Sequence, residues 1–126
     1  MSTQVADFVW FRDKSFELPN ADEGIDMTFK CNIPDIPVTG EVSVLSWNHL
    51  QNANGSVHYD VKVNGKLITA VGYDVDSAQW STVQEILRAN DEHIVIHQGE
   101  NKVEFRVLSG TGLGIADVVL LFRKYI

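Results

Sequence analysis

The sequence predicts an all-β protein, an antiparallel β-sandwich of two packed sheets with about eight strands, as one domain over residues 1–126. Three observations lead to this prediction. Apolar and polar residues alternate from about residue 41 onward. Two pairs of alternating runs are joined by short turn sequences. The 126 residues are 44% hydrophobic, which is enough to enclose a single core.

Three strands are expected in the first half of the chain. They cover residues 8–11, 25–33 and 41–50, where apolar and β-branched residues are frequent. The segments between them, 18–24 and 34–40, contain proline and glycine and are typical of loops.

The clearest hairpin joins residues 56–63 to residues 66–71. The first run alternates, with Tyr59 and three valines on one face. Asn64 and Gly65 stand between the runs, and both tolerate the positive φ that a type I′ turn requires. We therefore expect a half-buried strand, a tight turn and a returning strand.

A second hairpin is predicted from residues 93–97 to residues 102–107, through a turn at 98–101. A glycine-rich break at 109–114 separates it from the last strand, residues 115–125. In that last strand the residues of both parities are apolar, which predicts burial on both faces or a place at an interface.

Residues 77–90 are ambiguous. Ser81 resembles a helix N-cap, and Val83, Ile86 and Leu87 have helical spacing. A short strand fits the same residues nearly as well, so both alternatives stay open.

Charge and cysteine content narrow the classes of function and partner that the sequence allows. Ten basic against seventeen acidic residues give a formal charge of -7, which would repel a phosphate backbone and argues against a nucleic-acid partner. Cys31 is the only cysteine, so no intramolecular disulfide is expected, and a buried structural thiol fits better than a nucleophile. Neither a signal peptide nor a bilayer-spanning run is evident, which predicts a cytoplasmic product without membrane insertion and leaves signal-independent export open.

Three motifs in residues 57–125 carry a family resemblance. They are VKVNGK at 61–66, GENKVEFRV at 99–107 and IADVVL at 115–120. Their order resembles that of the galactose-binding-like jelly rolls found in carbohydrate-binding modules: an NG hairpin, a GEN turn before a strand, and a last strand that begins near an aspartate. The resemblance implies a jelly roll, and it specifies fold better than function because the motifs are turns and strands.

Modules of that kind usually bind sugars on loops at one rim or on a concave sheet face, often with a structural calcium ion. No ligand motif matches position by position, so no binding residue is transferred. Asp74 and Asp76 are weak calcium candidates, because the spacing of an EF-hand is missing and solvated loop acids fit better. No cofactor is expected to be required.

Sugar recognition needs an aromatic face for the apolar side of a pyranose and polar groups for its hydroxyls. Trp47, Asn48 and His49 combine these at the end of a strand, and Gln79 and Trp80 combine them in the connection after the first hairpin. These five residues are the predicted ligand site, with the two indoles as stacking platforms.

Each tryptophan also has a packing alternative. Trp47 alternates with Leu45, so a core position is equally consistent with the pattern. Trp80 lies among polar residues and is the preferred exposed aromatic. Trp10 is flanked by apolar residues and is assigned to the core or to an interface.

The leading hypothesis is a non-catalytic, lectin-like carbohydrate-binding module, with homo-oligomers as one route to useful affinity. The alternative is a protein-interaction or structural assembly module without a small ligand, in which Trp10, Val119 and Leu121 meet a protein partner. A small hydrolase is the third class, and it has the least support because no Gly-x-Ser-x-Gly nucleophile motif occurs.

Overall fold

The computed structural model of the protein describes residues 4–12, 16–17, 26–38, 42–51, 55–88 and 96–125. These residues form ten β-strands and no helix, so no described segment is a helix able to cross a bilayer. The strands are β1 (Gln4–Arg12), β2 (Phe16–Glu17), β3 (Asp26–Ile33), β4 (Val42–Gln51), β5 (Val57–Val63), β6 (Lys66–Leu67), β7 (Tyr73–Val75), β8 (Ser81–Arg88), β9 (Gly99–Ser109) and β10 (Leu113–Tyr125).

The strands form two antiparallel sheets, as the alternation predicts. The first sheet has the order β1-β10-β4-β8, and the short β2 also pairs with β10. The second sheet has the order β3-β9-β5-β6, and β7 also pairs with β5. The β-sandwich is therefore confirmed. Three of the ten strands have only two or three residues, which is why alternation alone indicated fewer.

Alternate residues of each strand point between the sheets and form one core. In β5 the burial alternates strictly along the strand. Cys31 lies half-buried against this core, and burial raises the pKa of its thiol, in agreement with a packing role. The largest fully buried side chains are Trp47, Tyr59, Phe105, Ile33, Leu45, Leu113, Ile115 and Leu120.

The first predicted hairpin is confirmed. Asn64 has a φ of 50° and Gly65 a φ of 85°, as a type I′ turn requires. The returning strand is shorter than predicted, because β6 contains only Lys66 and Leu67 before the chain leaves β5. Pairing with β5 resumes at β7.

The helix alternative for residues 77–90 is wrong. Residues 81–88 are β8, which pairs with β4 from Val42 to His49. Val83 and Leu87 point towards the core, whereas Ile86 points to solvent, so their helical spacing is coincidental. Pairing with a buried neighbouring strand decides the structure here, as tertiary context commonly does.

The second hairpin is only partly within the described residues. Residues 102–107 belong to β9, which pairs with β3 and β5. Of its predicted partner strand, residues 93–95 lie outside the described part of the chain, and residues 96–97 are not in a strand. The predicted loop at 18–24 also lies outside it.

The last strand is buried on both faces at its start, where residues 113–116 are all buried, and on one face further along. Val118, Leu120 and Phe122 of β10 point into the core, whereas Leu121 is substantially exposed and Val119 is half-buried. Burial on both faces, predicted for the whole strand, therefore holds only at its start. The interface alternative stays a prediction.

Candidate functional site

The outward faces of the two sheets differ in chemistry. On the second sheet the outward side chains are largely charged. On β5, His58 faces Asp74 of β7, and Asp60 faces Arg106 of β9. On the first sheet many of the outward side chains are apolar or aromatic. Five of the exposed large hydrophobic residues in the described chain lie there: Phe8, Trp10, Trp80, Ile86 and Leu121.

Strand register aligns four of these outward side chains. Phe8 pairs with Leu121, Leu121 with Val44, and Val44 with Ile86. One residue from each of β1, β10, β4 and β8 thus forms a continuous line perpendicular to the strands. We call Phe8, Leu121, Val44 and Ile86 the apolar row.

Trp80 lies near the other end of the same face. It immediately precedes β8, and 42% of it is exposed. A methyl group at Gly114 of β10 would lie 3.4 Å from its Cη2 atom and 3.0 Å from Cδ1 of Leu50. Because β4 stands between β8 and β10, the indole is spread across the outside of β4. Glycine at position 114 leaves the space that this placement needs.

A hydrogen-bonded chain of polar side chains lies beside Trp80. Thr82 Oγ1 donates to Asn48 Oδ1 at 2.7 Å, and Asn48 Nδ2 donates to Asp117 Oδ2 at 2.9 Å. The three residues come from β8, β4 and β10, and we call them the polar trio. Both polar atoms of the Asn48 amide have partners, so its orientation is fixed.

Asp117 owes its position to an irregularity in β10. Its φ is 53°, and the register between β10 and β4 shifts between Ala116 and Val119. Aspartate tolerates this left-handed backbone better than most residues do. The bulge aims the carboxylate at Asn48.

Trp47 and His49 do not belong to this face. They flank Asn48 on β4, and side chains on a strand alternate, so both point between the sheets. Trp47 is fully buried, and its Nε1 donates to the Tyr59 hydroxyl at 2.8 Å. The prediction of Trp47 as a stacking platform is wrong, and His49 is too buried to bind a sugar hydroxyl alongside Asn48.

The buried polar cluster of Trp47, Tyr59 and His49 has a defined proton arrangement. The indole N–H can only donate, so the Tyr59 oxygen accepts it. His49 Nδ1 lies 2.6 Å from the same oxygen. Tyr59 then donates its own proton to a neutral His49. Burial lowers the pKa of His49 and raises that of Tyr59, which keeps both groups uncharged.

The other predicted polar residues are exposed. Gln79 lies next to Trp80, and its backbone N–H donates to Ser77 Oγ at 3.1 Å. Asp74 accepts at 2.7 Å from His58 Nδ1, and Asp76 is exposed nearby. Among the described side chains, no three His, Cys, Asp or Glu residues are grouped to hold a metal ion.

Trp10 is at the surface. It is 48% exposed on β1, so the core assignment is wrong for this chain and the interface assignment stays a prediction. Phe8 lies against it edge to face, with ring centroids 6.4 Å apart.

Sequence reasoning missed Thr82 and Asp117 as site residues. Thr82 falls within the segment for which helix and strand are both open, and Asp117 enters only as the aspartate near the start of the last strand. For Asp117 the signal is indirect, because it is the one charged residue in the otherwise apolar run 115–122. Thr82 has no such signal, because polar residues are frequent in β8.

Solved structures of other proteins have a similar architecture. No family model and no curated protein matches the chain. A family 35 carbohydrate-binding module from Clostridium thermocellum covers 92% of this chain and 98% of its own, with a TM-score of 0.57 and 12% identity. The CBM36-1 domain of a multidomain xylanase from the hindgut metagenome of Trinervitermes trinervoides covers 93% and 96%, with a TM-score of 0.54 and 8% identity.

The fold is the jelly roll of carbohydrate-binding modules. At these identities the likeness concerns the fold alone, and it confirms the resemblance at that level. A β-porphyranase of glycoside hydrolase family 86 from Bacteroides plebeius also matches, with a TM-score of 0.63 and 15% identity. It covers 99% of this chain, but this chain covers only 21% of that enzyme.

Proposed function

We propose that the chain is a non-catalytic carbohydrate-binding module whose sugar lies on the outward face of the first sheet, stacked on Trp80 and hydrogen-bonded by the polar trio and Gln79. The observation that carries this proposal is an exposed indole beside three hydrogen-bonded polar side chains on one sheet face. A pyranose presents the matching surfaces, an apolar C–H side and a rim of hydroxyls.

Trp80 has the properties of a stacking platform. Its Cη2 atom lies close to Gly114, beside the Leu50 side chain, while a large part of the residue remains open to solvent. A ring held in advance loses little side-chain entropy when a ligand binds. Stacking on it would contribute on the order of 1 kcal/mol.

The polar trio has the properties of a hydroxyl-binding group. The Asp117 carboxylate can accept from sugar hydroxyls with the oxygen that Asn48 does not use. Mutual hydrogen bonds orient all three side chains before any ligand arrives, which lowers the cost of ordering them.

Binding without catalysis is supported by the coverage of the structural neighbours. The two carbohydrate-binding modules are matched along nearly their whole length, whereas only about a fifth of the porphyranase chain is matched. This chain therefore corresponds to modules of the non-catalytic kind rather than to a whole hydrolase.

A glycan array, followed by calorimetry on the best sugar, tests the proposal. Trp80→Ala is expected to weaken binding about fivefold or more, whereas Leu67→Ala, an exposed apolar residue of the second sheet, leaves it unchanged. Running the array with and without a chelator tests calcium dependence in the same experiment. Unchanged affinity in Trp80→Ala, or an array on which no sugar is bound, would reject this function.

Thr82→Val provides a matched second test. Valine has nearly the same shape and suits a strand, so only the hydroxyl that holds Asn48 is lost. Binding should weaken severalfold, and Thr28→Val, at an exposed position on the second sheet, is the control. Equal affinities in the two variants would remove the polar trio from the site.

A second candidate function rests on the apolar row. Four aligned apolar side chains with no charge among them form a surface suited to a protein partner, and we infer self-association as its simplest use. Light scattering should then show a mass that rises with concentration in the wild type and not in Leu121→Lys. A monodisperse monomer at all concentrations would reject it.

A further inference from the structure

Trp10 lies on the same sheet face as Trp80 but on the opposite edge strand. Trp80 precedes β8, which is one edge of the first sheet, and Trp10 lies in β1, the other edge. Both indoles are exposed to a similar degree. The sugar site described above uses only one of them.

The register gives the separation of the two indoles. Trp10 pairs with Val119, Val119 pairs with Ser46, and Ser46 pairs with Gln84, which is four residues beyond Trp80 along the chain. Three inter-strand steps therefore separate them across the sheet and four residues separate them along it. With about 4.8 Å between strands and about 3.3 Å per residue, the two Cα positions are roughly 20 Å apart.

The polar trio occupies the space between the two indoles. Asn48 and Asp117 lie on β4 and β10, the two central strands, and their row of the sheet falls between that of Trp80 and that of Trp10. The diagonal thus runs from an indole, across hydrogen-bonding side chains, to a second indole. A single pyranose cannot touch both ends of it.

We propose that the ligand is a chain of several sugar residues that crosses the first sheet obliquely from Trp80 to Trp10, and that Trp10 is a second stacking subsite. This inference rests on the proposed function and names its ligand class, an oligosaccharide or polysaccharide segment. Phe8 supports the subsite, because its edge-to-face contact holds the Trp10 indole in place.

Calorimetry with soluble xylo-, cello- and neoagaro-oligosaccharides, each from the disaccharide to the octasaccharide, tests this inference on the series that binds. Affinity should rise with chain length and then level off once both indoles are covered. Trp10→Ala should weaken binding of the longest chains about fivefold and leave the shortest ligand unaffected. Trp80→Ala should weaken binding at every length.

The outcomes separate this inference from the function it rests on. If short sugars bind through Trp80 but affinity does not depend on length, or Trp10→Ala changes nothing at any length, the second subsite is rejected and the sugar-binding function stands. If no oligosaccharide binds, both are rejected. Leu67→Ala is the control for an exposed apolar truncation elsewhere.

Discussion

Asn64 Nδ2 donates a 2.9 Å hydrogen bond to Oδ1 of Asn101, and this contact ties the type I′ turn to the start of β9. Asn101 is fully buried, and its amide also donates to the carbonyls of His97 and Gly99. In return, Asn64 Oδ1 accepts from the backbone N–H of Lys102. The NG and GEN motifs are therefore two halves of one hydrogen-bonded unit.

We expect Asn101→Ala to lower the free energy of unfolding by about 3 kcal/mol, because it removes a fully buried amide and leaves partly buried backbone groups of His97 and Gly99 without their partner. Urea denaturation measures this, with Asn32→Ala as the exposed asparagine control. A double-mutant cycle with Asn64→Gly, which keeps the positive φ, should give a coupling energy of about 1 kcal/mol. Strict additivity would contradict the pairing.

The same two motifs show how far the sequence can be interpreted. Each motif predicts a turn on its own, because Asn and Gly tolerate positive φ. That the two turns meet depends on β5 and β9 being neighbours, since Asn64 and Asn101 are 37 positions apart in the sequence. Local patterns contain no information about such pairing, so the fold class could be predicted but not this contact.

The candidate site likewise contains residues whose placement follows from the sequence and residues whose placement does not. Alternation along β4 already implies that Asn48 points away from Trp47 and His49, so the sequence could have excluded these two from a site shared with Asn48. The polar trio could not have been found. Its hydrogen bonds join residues 34 and 69 positions apart, and the bulge that aims Asp117 has no sequence signature here.

Tyr59→Phe should destabilise the protein by about 2 kcal/mol, because the buried Trp47 N–H loses its acceptor and His49 loses its donor. Urea denaturation measures the change. Tyr73→Phe is the matched control, since its hydroxyl donates to Glu85 in a less buried position and its loss should cost less. Equal losses in both variants would contradict a special role for the buried cluster.

Stability should fall as the pH falls below the ordinary histidine value of 6.5. Burial lowers the pKa of His49, so below pH 6.5 the unfolded chain binds a proton that the folded protein does not, which favours unfolding. Above that pH both states are neutral at His49 and its contribution is constant. Urea midpoints across this range measure the slope, and His49→Gln should flatten it. An unchanged slope in that variant would assign the effect to other groups.

Gly114→Ala should weaken sugar binding severalfold while the protein stays folded. The added methyl group would lie 3.0 Å from Leu50 Cδ1, which is closer than ordinary contact, so the Leu50 side chain must move. We expect that movement to disturb the Trp80 ring, which lies 3.4 Å from the same methyl position. The backbone itself is not strained, because Gly114 does not have a positive φ. Calorimetry with the best sugar measures the change, and thermal unfolding checks the fold. Unaltered affinity would mean that the position of Trp80 does not matter for binding.

Neutral sugar chains should bind better than sulfated chains of the same backbone. The formal charge of the protein is -7, and Asp117 places a carboxylate within the candidate site. Repulsion of this kind is screened by salt, so affinity for the sulfated chain should rise with ionic strength while affinity for the neutral chain stays constant. Asp117→Asn keeps a side chain suited to the positive φ and should narrow the difference. A sulfated chain that binds more tightly, and loses affinity as salt is added, would show instead that basic side chains recruit it.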